Sequence, residues 1–319
     1  MNRPRDGERG VALLVTLLVL VLVVALANEI FRIGARAAQT SAYGRDSIRC
    51  TLLAKAGTGA ARIALREDAN DNQFDTLDEY WSRPVPAIEL GDGVINIFVE
   101  DEERKINLNL LVMPNGNATD DRRLAVFRLF LTRQGIDASL ADAFVDWLDN
   151  DDTPRVGGAE TAYYQALPYP YKAKNDLFDS VEEILLVRGV TREIYDKIRP
   201  FVTVTSSGKV NINTAPKEVL VSLSAGTDAA EAGAIDDEAA KQLIEFRKET
   251  PFRRPQDIGN VSPFFKGLYS RTRFSDLIDV RSTVFHVRST GEIGGTARTV
   301  DALGLRTGIE VKWRFWRLE

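Results

Sequence analysis

Apolar and polar positions divide the chain into three regimes. Residues 11–27, VALLVTLLVLVLVVALA, form an apolar run interrupted only by Thr16. At about 1.5 Å per helical residue the run covers roughly 25 Å, just short of a bilayer's hydrocarbon core, and Ile30, Phe31 and Ile33 can supply the missing turn. No proline follows until well past Ala69, and Ile48, Leu52, Leu53, Ala56, Ile63 and Leu65 recur at spacings of three and four. The pattern predicts one rod of about 55 residues and roughly 80 Å, its first half in a membrane and its second half on a globular domain. Gly34, Gly44, Gly57 and Gly59 mark places for bending or tight packing.

Beyond Asp71 the period changes. Residues 81–86, WSRPVP, read as an extended connection. Residues 93–100, GVINIFVE, alternate as a strand, and after the charged link 101–103 an extended pattern resumes at 104–108, which predicts a hairpin. Residues 111–117, LVMPNGN, lead away from it. Strands return at 284–291, 297–305 and 308–318. The order helix, strands, helical block, strands implies an α+β fold with one sheet built from both sides of an insertion.

The block between, residues 119–280, reads as helical. Thr119, Asp120 and Asp121 can cap a helix running to Gln134, with Leu124, Phe127 and Leu131 as its stripe and Gly135 as its stop. A second helix from Asp137 turns Leu140, Phe144, Trp147 and Leu148 inward. Two copies of a small helical unit follow. In residues 179–199 a capped helix passes through Gly189 to a second helix that stops at Pro200; a looser copy spans 211–248, with helices at 216–223 and 236–248. Such pairs resemble helix-hairpin-helix units, which can hold nucleic-acid phosphates. Here the second link carries Asp228, Glu231, Asp236, Asp237 and Glu238, which repel phosphate, so structural use is expected and nucleic acid is not.

Composition narrows the chemistry. A formal net charge of -5 and a pI near 5.3 disfavour a broad polyanion-binding surface. One cysteine and one histidine exclude an intrachain disulfide, a Cys/His zinc site and a histidine-based triad within the chain. Cys50 reads as a small buried residue, and His286, in an alternating strand, as a surface or packed side chain. The strongest chemical signal is the end of the second helix, where Asp146, Asp149, Asp151 and Asp152 crowd together and a loop with Pro154, Gly157 and Gly158 returns Glu160. Hard oxygen ligands on a flexible loop suit calcium, although the spacing is not that of an EF-hand. Asp149, Asp151 and Glu160 are the expected ligands, with Asp152 and Asp146 as further candidates; a solvated acidic loop explains the same residues without an ion. A carboxylate-pair hydrolase would need a cleft-forming polar and aromatic set that does not accompany them, so no enzyme is expected.

The amino-terminal boundary carries the last signal. The leader MNRPRDGERG holds Arg3, Arg5 and Arg9, which keeps it cytoplasmic and sends the rest of the chain outside. A cleaved secretory signal and an uncleaved anchor both compete with a prepilin-type leader (residues 1–10), in which processing follows Gly10 and leaves Val11 as the methylated mature end. The fifth mature residue is then Val15, where most prepilins carry a glutamate that compensates a neighbour's terminal amine. A subunit without that carboxylate fits at a filament's end.

With the KINLN run, the DWLDNDD…GGAE…YY segment, SVEEILLVRGV and KVNINTAPKEVL, this leader and anchor resemble the K-type minor pseudopilins of the bacterial type II secretion system (the general secretion pathway protein K family). The resemblance spans nearly the whole chain. It implies a pseudopilin fold: a membrane part at 11–33, a periplasmic helix at 34–69, a small antiparallel sheet from 70–118 and 281–319, and a helical domain at 119–280 inserted between strands. It also implies calcium in that domain, maturation by prepilin peptidase, an inner-membrane anchor with a periplasmic body, and assembly with I-type and J-type minor pseudopilins and other secretion components. A single cysteine departs from disulfide-bonded members. The competing readings are a membrane-anchored helix-hairpin-helix DNA receptor and a minor pilin of a type IV pilus.

Overall fold

The structure, a computed structural model, describes residues 6–83, 86–116, 118–227 and 233–319. Arg3 and Arg5 of the leader, Pro84 and Val85 of the connection, Asn117, and Asp228 and Glu231 of the second link lie outside these residues, as does the side chain of Arg9.

Helix α1 (Asp6–Asp71) is a single unbroken element of 66 residues, roughly 100 Å long. Its span from Gly10 is long and apolar enough to cross a membrane and is exposed there. The globular body takes hold at Cys50. From that point Cys50, Ala54, Gly57, Ala61 and Leu65 form the buried face, whereas Ile48, Leu52 and Ile63 point outward. Of the apolar stripe read from the sequence Leu65 lies on the packing face and Leu53 borders it, but the rest of that face is made of small residues because the sheet lies almost against the backbone. At Gly57 an added Cβ would sit 2.1 Å from Ser289 Oγ, and at Gly291 one would sit 2.3 Å from the Cys50 carbonyl oxygen.

Strands β1 (Ile88–Leu90) and β2 (Gly93–Asp101) begin the sheet. The predicted hairpin after β2 does not form. A 3-10 turn, Glu102–Arg104, follows, capped by Asp101, whose carboxylate accepts from the Glu103 amide at 2.8 Å. Strand β3 (Ile106–Asn107) then pairs in parallel with β4 (Val202–Thr203). The chain thus leaves the sheet at Asp101 rather than near 118, and Ile106, Leu108 and Leu111 belong to the core of the helical domain.

That domain is a tandem of two like halves. The first runs β3, α2 (Asp121–Arg133), α3 (Leu140–Leu148), a short α4 (Thr161–Gln165), a 3-10 segment Val181–Leu186, α5 (Arg192–Ile198), β4. The second runs β5 (Val210–Asn211), α6 (Lys217–Leu223), α7 (Asp237–Glu249), a 3-10 segment Pro255–Asn260, α8 (Pro263–Arg271), β6 (Ile278–Asp279), with β5 and β6 again parallel. The partner of residues 179–199 is thus 255–271, not 211–248. Residues 181–186 are 3-10, and Ser180 makes no side-chain cap.

Each half is closed by an asparagine clamp. Asn107 accepts from the Asn109 amide, and Asn109 in turn exchanges two hydrogen bonds with the Phe178 backbone at 2.9 and 2.7 Å. Asn211, Asn213 and Phe252 repeat this arrangement, with 2.9 Å in both bonds to Phe252. Asn213→Ala leaves the buried Phe252 amide and carbonyl unpaired. A loss of about 2–4 kcal/mol is expected, read as a lower urea midpoint; an unchanged midpoint would deny the clamp its role.

Strands β7 (Val284–Ile293), β8 (Thr296–Thr307) and β9 (Glu310–Leu318) complete an antiparallel sheet ordered β1-β2-β7-β8-β9. Helix α1 covers one face through Ala61 and Leu65 against Val99, Phe285 and Val287. At the domain crossing the buried Glu103 accepts from the Ser207 and Val284 amides and the Thr283 hydroxyl, while Asp101 accepts from Thr214 and Asn211.

Candidate metal centre

Helix α3 buries Phe144, Trp147 and Leu148 in the domain core, and this fixes its carboxyl end. Asp146 is drawn fully inside. Its Oδ2 accepts from the Arg155 amide at 3.0 Å, and the Arg155 guanidinium stands 3.5 Å from its Oδ1. The loop can fold this closely only because residue 158 is glycine: a Cβ there would lie 1.9 Å from Asp146 Oδ2. Gly157 is placed similarly, its amide donating to Asp142 and its missing Cβ making room for the Ser139 carbonyl. This fold-back delivers Glu160 to the start of α4.

Asp149, Asp151 and Glu160 come together there, each offering one oxygen within 4.8 Å of the others. The residues expected as ligands are therefore the ones gathered. Asp149 Oδ1 and both Glu160 carboxylate oxygens are buried without a hydrogen-bond partner among the described residues, as is Asp146 Oδ1. Burial, and then the neighbouring carboxylates, push Glu160 up to about 8 and Asp149 up to about 6; Asp146 is raised for the same reasons. A group of anions this starved of donors is stable only with protons or a cation between them.

Asp146 and Asp152 take other places. Asp146 organises the loop from beneath, and Asp152 is exposed, its Oδ1 3.5 Å from Asn175 Nδ2. Sequence reasoning missed Asn175. Its backbone has φ 49°, its side-chain nitrogen donates to the Asp151 carbonyl at 3.1 Å, and its Oδ1 is buried without a partner among the described residues, a neutral oxygen on the wall of the same loop. The available signal was an asparagine, one of the few residue types at ease in that conformation.

Two other acidic groups carry their own cation. Glu100 and Glu102 bind Lys105 Nζ at 2.7 and 2.8 Å, and Asp68 and Asp75 bind Arg306. Among the described residues the trio on the loop forms no ion pair, Arg155 standing by Asp146 instead, and its all-oxygen donor set suits calcium. Loop 149–177 occupies the place of the two residues, 250–251, that join α7 to the Phe252 clamp in the other half, so the site is an elaboration of one repeat.

Family models described as type II secretion system protein K match residues 104–207 and 210–281, the division falling between the two halves. Type II secretion system protein K of Aeromonas hydrophila is 27% identical over 318 residues, covering 94% of this chain and 93% of that protein. The protein K of Pectobacterium carotovorum subsp. carotovorum is 30% identical and covers 66% of this chain and 67% of its own. Among solved structures, the GspK-GspI-GspJ complex from enterotoxigenic Escherichia coli contains a chain similar in fold: TM-score 0.69, 18% identity, 89% of this chain and 99% of that one.

Proposed function

Because the chain belongs to the type II secretion system protein K family, it is a minor pseudopilin of that machinery, and we propose that it caps the tip of the pseudopilus, where it initiates assembly for export of folded proteins across the outer membrane. Val15 carries this reading. Between residues 11 and 27 there is no acidic side chain to meet the terminal amine of a subunit ahead, so the chain suits a position with nothing ahead of it. In this reading α1 anchors the chain in the inner membrane with its body in the periplasm, and I-type and J-type minor pseudopilins assemble beside it, as GspI and GspJ do with GspK in the similar complex. Calcium bound by Asp149, Asp151 and Glu160 holds the inserted domain in shape. The DNA-receptor and type IV pilus readings find no support in the family matches.

The test is co-expression of the full chain with the I-type and J-type pseudopilins of the same secretion system. A complex that survives detergent extraction and size-exclusion chromatography is expected; three separate proteins would defeat the proposal. Maturation is checked independently. Mass spectrometry of membrane-extracted protein should find a methylated end at Val11, and Gly10→Leu should block it, since prepilin peptidase must hold extended backbone beside the membrane. An intact Met1 end in cells with active peptidase, or cleavage beyond Ala27, would contradict that assignment.

A further inference from the structure

The sheet face turned away from α1 is not covered by the inserted domain but stands across a cleft of about 560 Å³ from it. Two cross-strand ladders line the sheet side. One runs Phe98, Arg288, Asp301, Arg317 and the other Glu100, His286, Leu303, Phe315. Val181, Pro200 and Val204 of the first repeat form the opposite wall. Phe98 and Phe315 are 58% and 48% exposed, an apolar surface that the chain itself does not bury.

The charges in the cleft are unevenly satisfied. Asp301 is held by His286 and by Arg288 at 2.9 Å, and Glu100 and Glu102 are held by Lys105. Asp179 is bound by Lys174 at 2.7 Å. At the rim, Arg314 and Arg199 have no carboxylate in ion-pair range among the described residues; Arg199 lies against the Tyr195 ring, and Arg317 pairs with Glu319 and lies over the edge of the cleft at the Phe315 ring. Glu182, near the Tyr195 hydroxyl, is the one acid on the far wall left over against them. What remains unspent is positive. The cleft also opens along β9, the last strand of the sheet, whose outer backbone groups face no strand among the described residues and whose sequence, EVKWRFWRL, carries three cations to one acid. Arg314 is the extra residue at the β8/β9 irregularity between Leu303 and Gly304.

We propose that this cleft and the open edge of β9 form a docking groove for an acidic, extended segment of another protein, which adds to the sheet as a further strand. Backbone pairing to β9 supplies the alignment, and alternate side chains of the incoming strand reach Phe315 on the neighbouring strand. Acidic residues in that strand meet Arg314, Arg317 and Arg199, which selects it over neutral edges that would otherwise pair at random. The groove lies on the opposite side of the sheet from α1, so it can be filled while the helix stays packed among others.

The test uses the full chain in nonionic detergent and a fluorescein-labelled peptide of alternating glutamate and valine. Saturable binding below about 1 mM is expected, weakened by salt, together with slowed amide exchange across residues 311–318. Arg314→Glu combined with Arg199→Glu, both exposed positions, should weaken binding at least about tenfold at an unchanged melting temperature. The lysine-valine peptide and an acidic peptide with proline at alternate positions should both fail to bind. Equal binding of the lysine peptide or of oligothymidylate would overturn the proposal in favour of an unselective or polyanion surface. So would concentration-dependent self-association abolished by the same substitutions, which would make the occupant a second copy, or an acidic peptide that binds without protecting β9.

Discussion

Chelating calcium should lower the melting temperature of the full chain, and the loss should deepen as the pH is raised. A ligand that binds only the folded state stabilises it by RT ln(1 + [L]/Kd), about 2.7 kcal/mol at a hundredfold excess over Kd, or on the order of 5–10 °C for a unit of this size. The pH dependence follows from the carboxylates. In the folded, ion-free protein Glu160 is raised to about 8 and Asp149 to about 6, above their ordinary range, by burial and mutual repulsion. Their contribution to stability is therefore complete below about pH 4 and is lost as the pH climbs through 6 to 8, because the folded state must then hold anions the unfolded state exposes to water. A cation would bind the deprotonated site, so calcium should restore most at pH 8 and little at pH 5. Asp149→Asn with Asp151→Asn should shrink both the calcium response and the slope in chelator. Equal midpoints with and without calcium at pH 8 would leave a solvated acidic loop, and a response to magnesium alone would point to a tighter, octahedral site.

The long helix, the return strands and the gathering of Asp149, Asp151 and Glu160 were legible because each rests on a local signal. An apolar run, an alternation, or carboxylates brought back by a glycine loop can be read within a few residues. The features that were misread depend on partners far away in the chain. Nothing near residues 104–108 announces that Ile106 and Asn107 will pair with Val202 and Thr203 rather than with β2. Most of the packing face of α1 was misassigned because hydrophobic periodicity counts large residues, while a sheet lying against the helix backbone selects Cys50, Ala54 and Gly57. The repeat was seen with the wrong register. Its true marker is the pair of motifs INLN and VNIN, whose asparagines clamp Phe178 and Phe252 at the head of each 3-10 segment; the equivalence is obscured by loop 149–177, present in one half alone.

Arg306→Ala should cost about 3–5 kcal/mol, the largest effect expected of any single substitution outside the metal centre. The guanidinium is nearly inaccessible. It meets Asp68 of α1 at 2.9 Å, Asp75 of the following connection at 2.5 Å, and the Ser282 carbonyl at 2.7 Å, and it lies 4.7 Å from the centre of the Phe285 ring. Asp75 Oδ2 also accepts from the Ser282 amide at 2.7 Å, and the Asp75 carbonyl accepts from Asn211 at 3.1 Å. One side chain on β8 therefore ties the end of the long helix to the point where the inserted domain rejoins the sheet. Removing it leaves the buried Asp75 without a counter-charge, and even with Arg306 present burial and the neighbouring Glu79 push Asp68 up to about 8. Once the arginine, which opposes that rise, is gone, Asp68 is charged only at greater cost, so the deficit should widen from pH 5 to pH 9. Arg306→Lys keeps a charge but not the two-pronged geometry and should fall between wild type and alanine. Arg306→Met with Asp75→Asn removes both charges at similar volume and should recover part of the loss, a coupling that urea midpoints of wild type, Arg306→Met alone, Asp75→Asn alone and the double variant will measure. If the single alanine substitution lowers stability by less than about 1 kcal/mol, the network is an ordinary surface ion pair and the junction is held by packing alone.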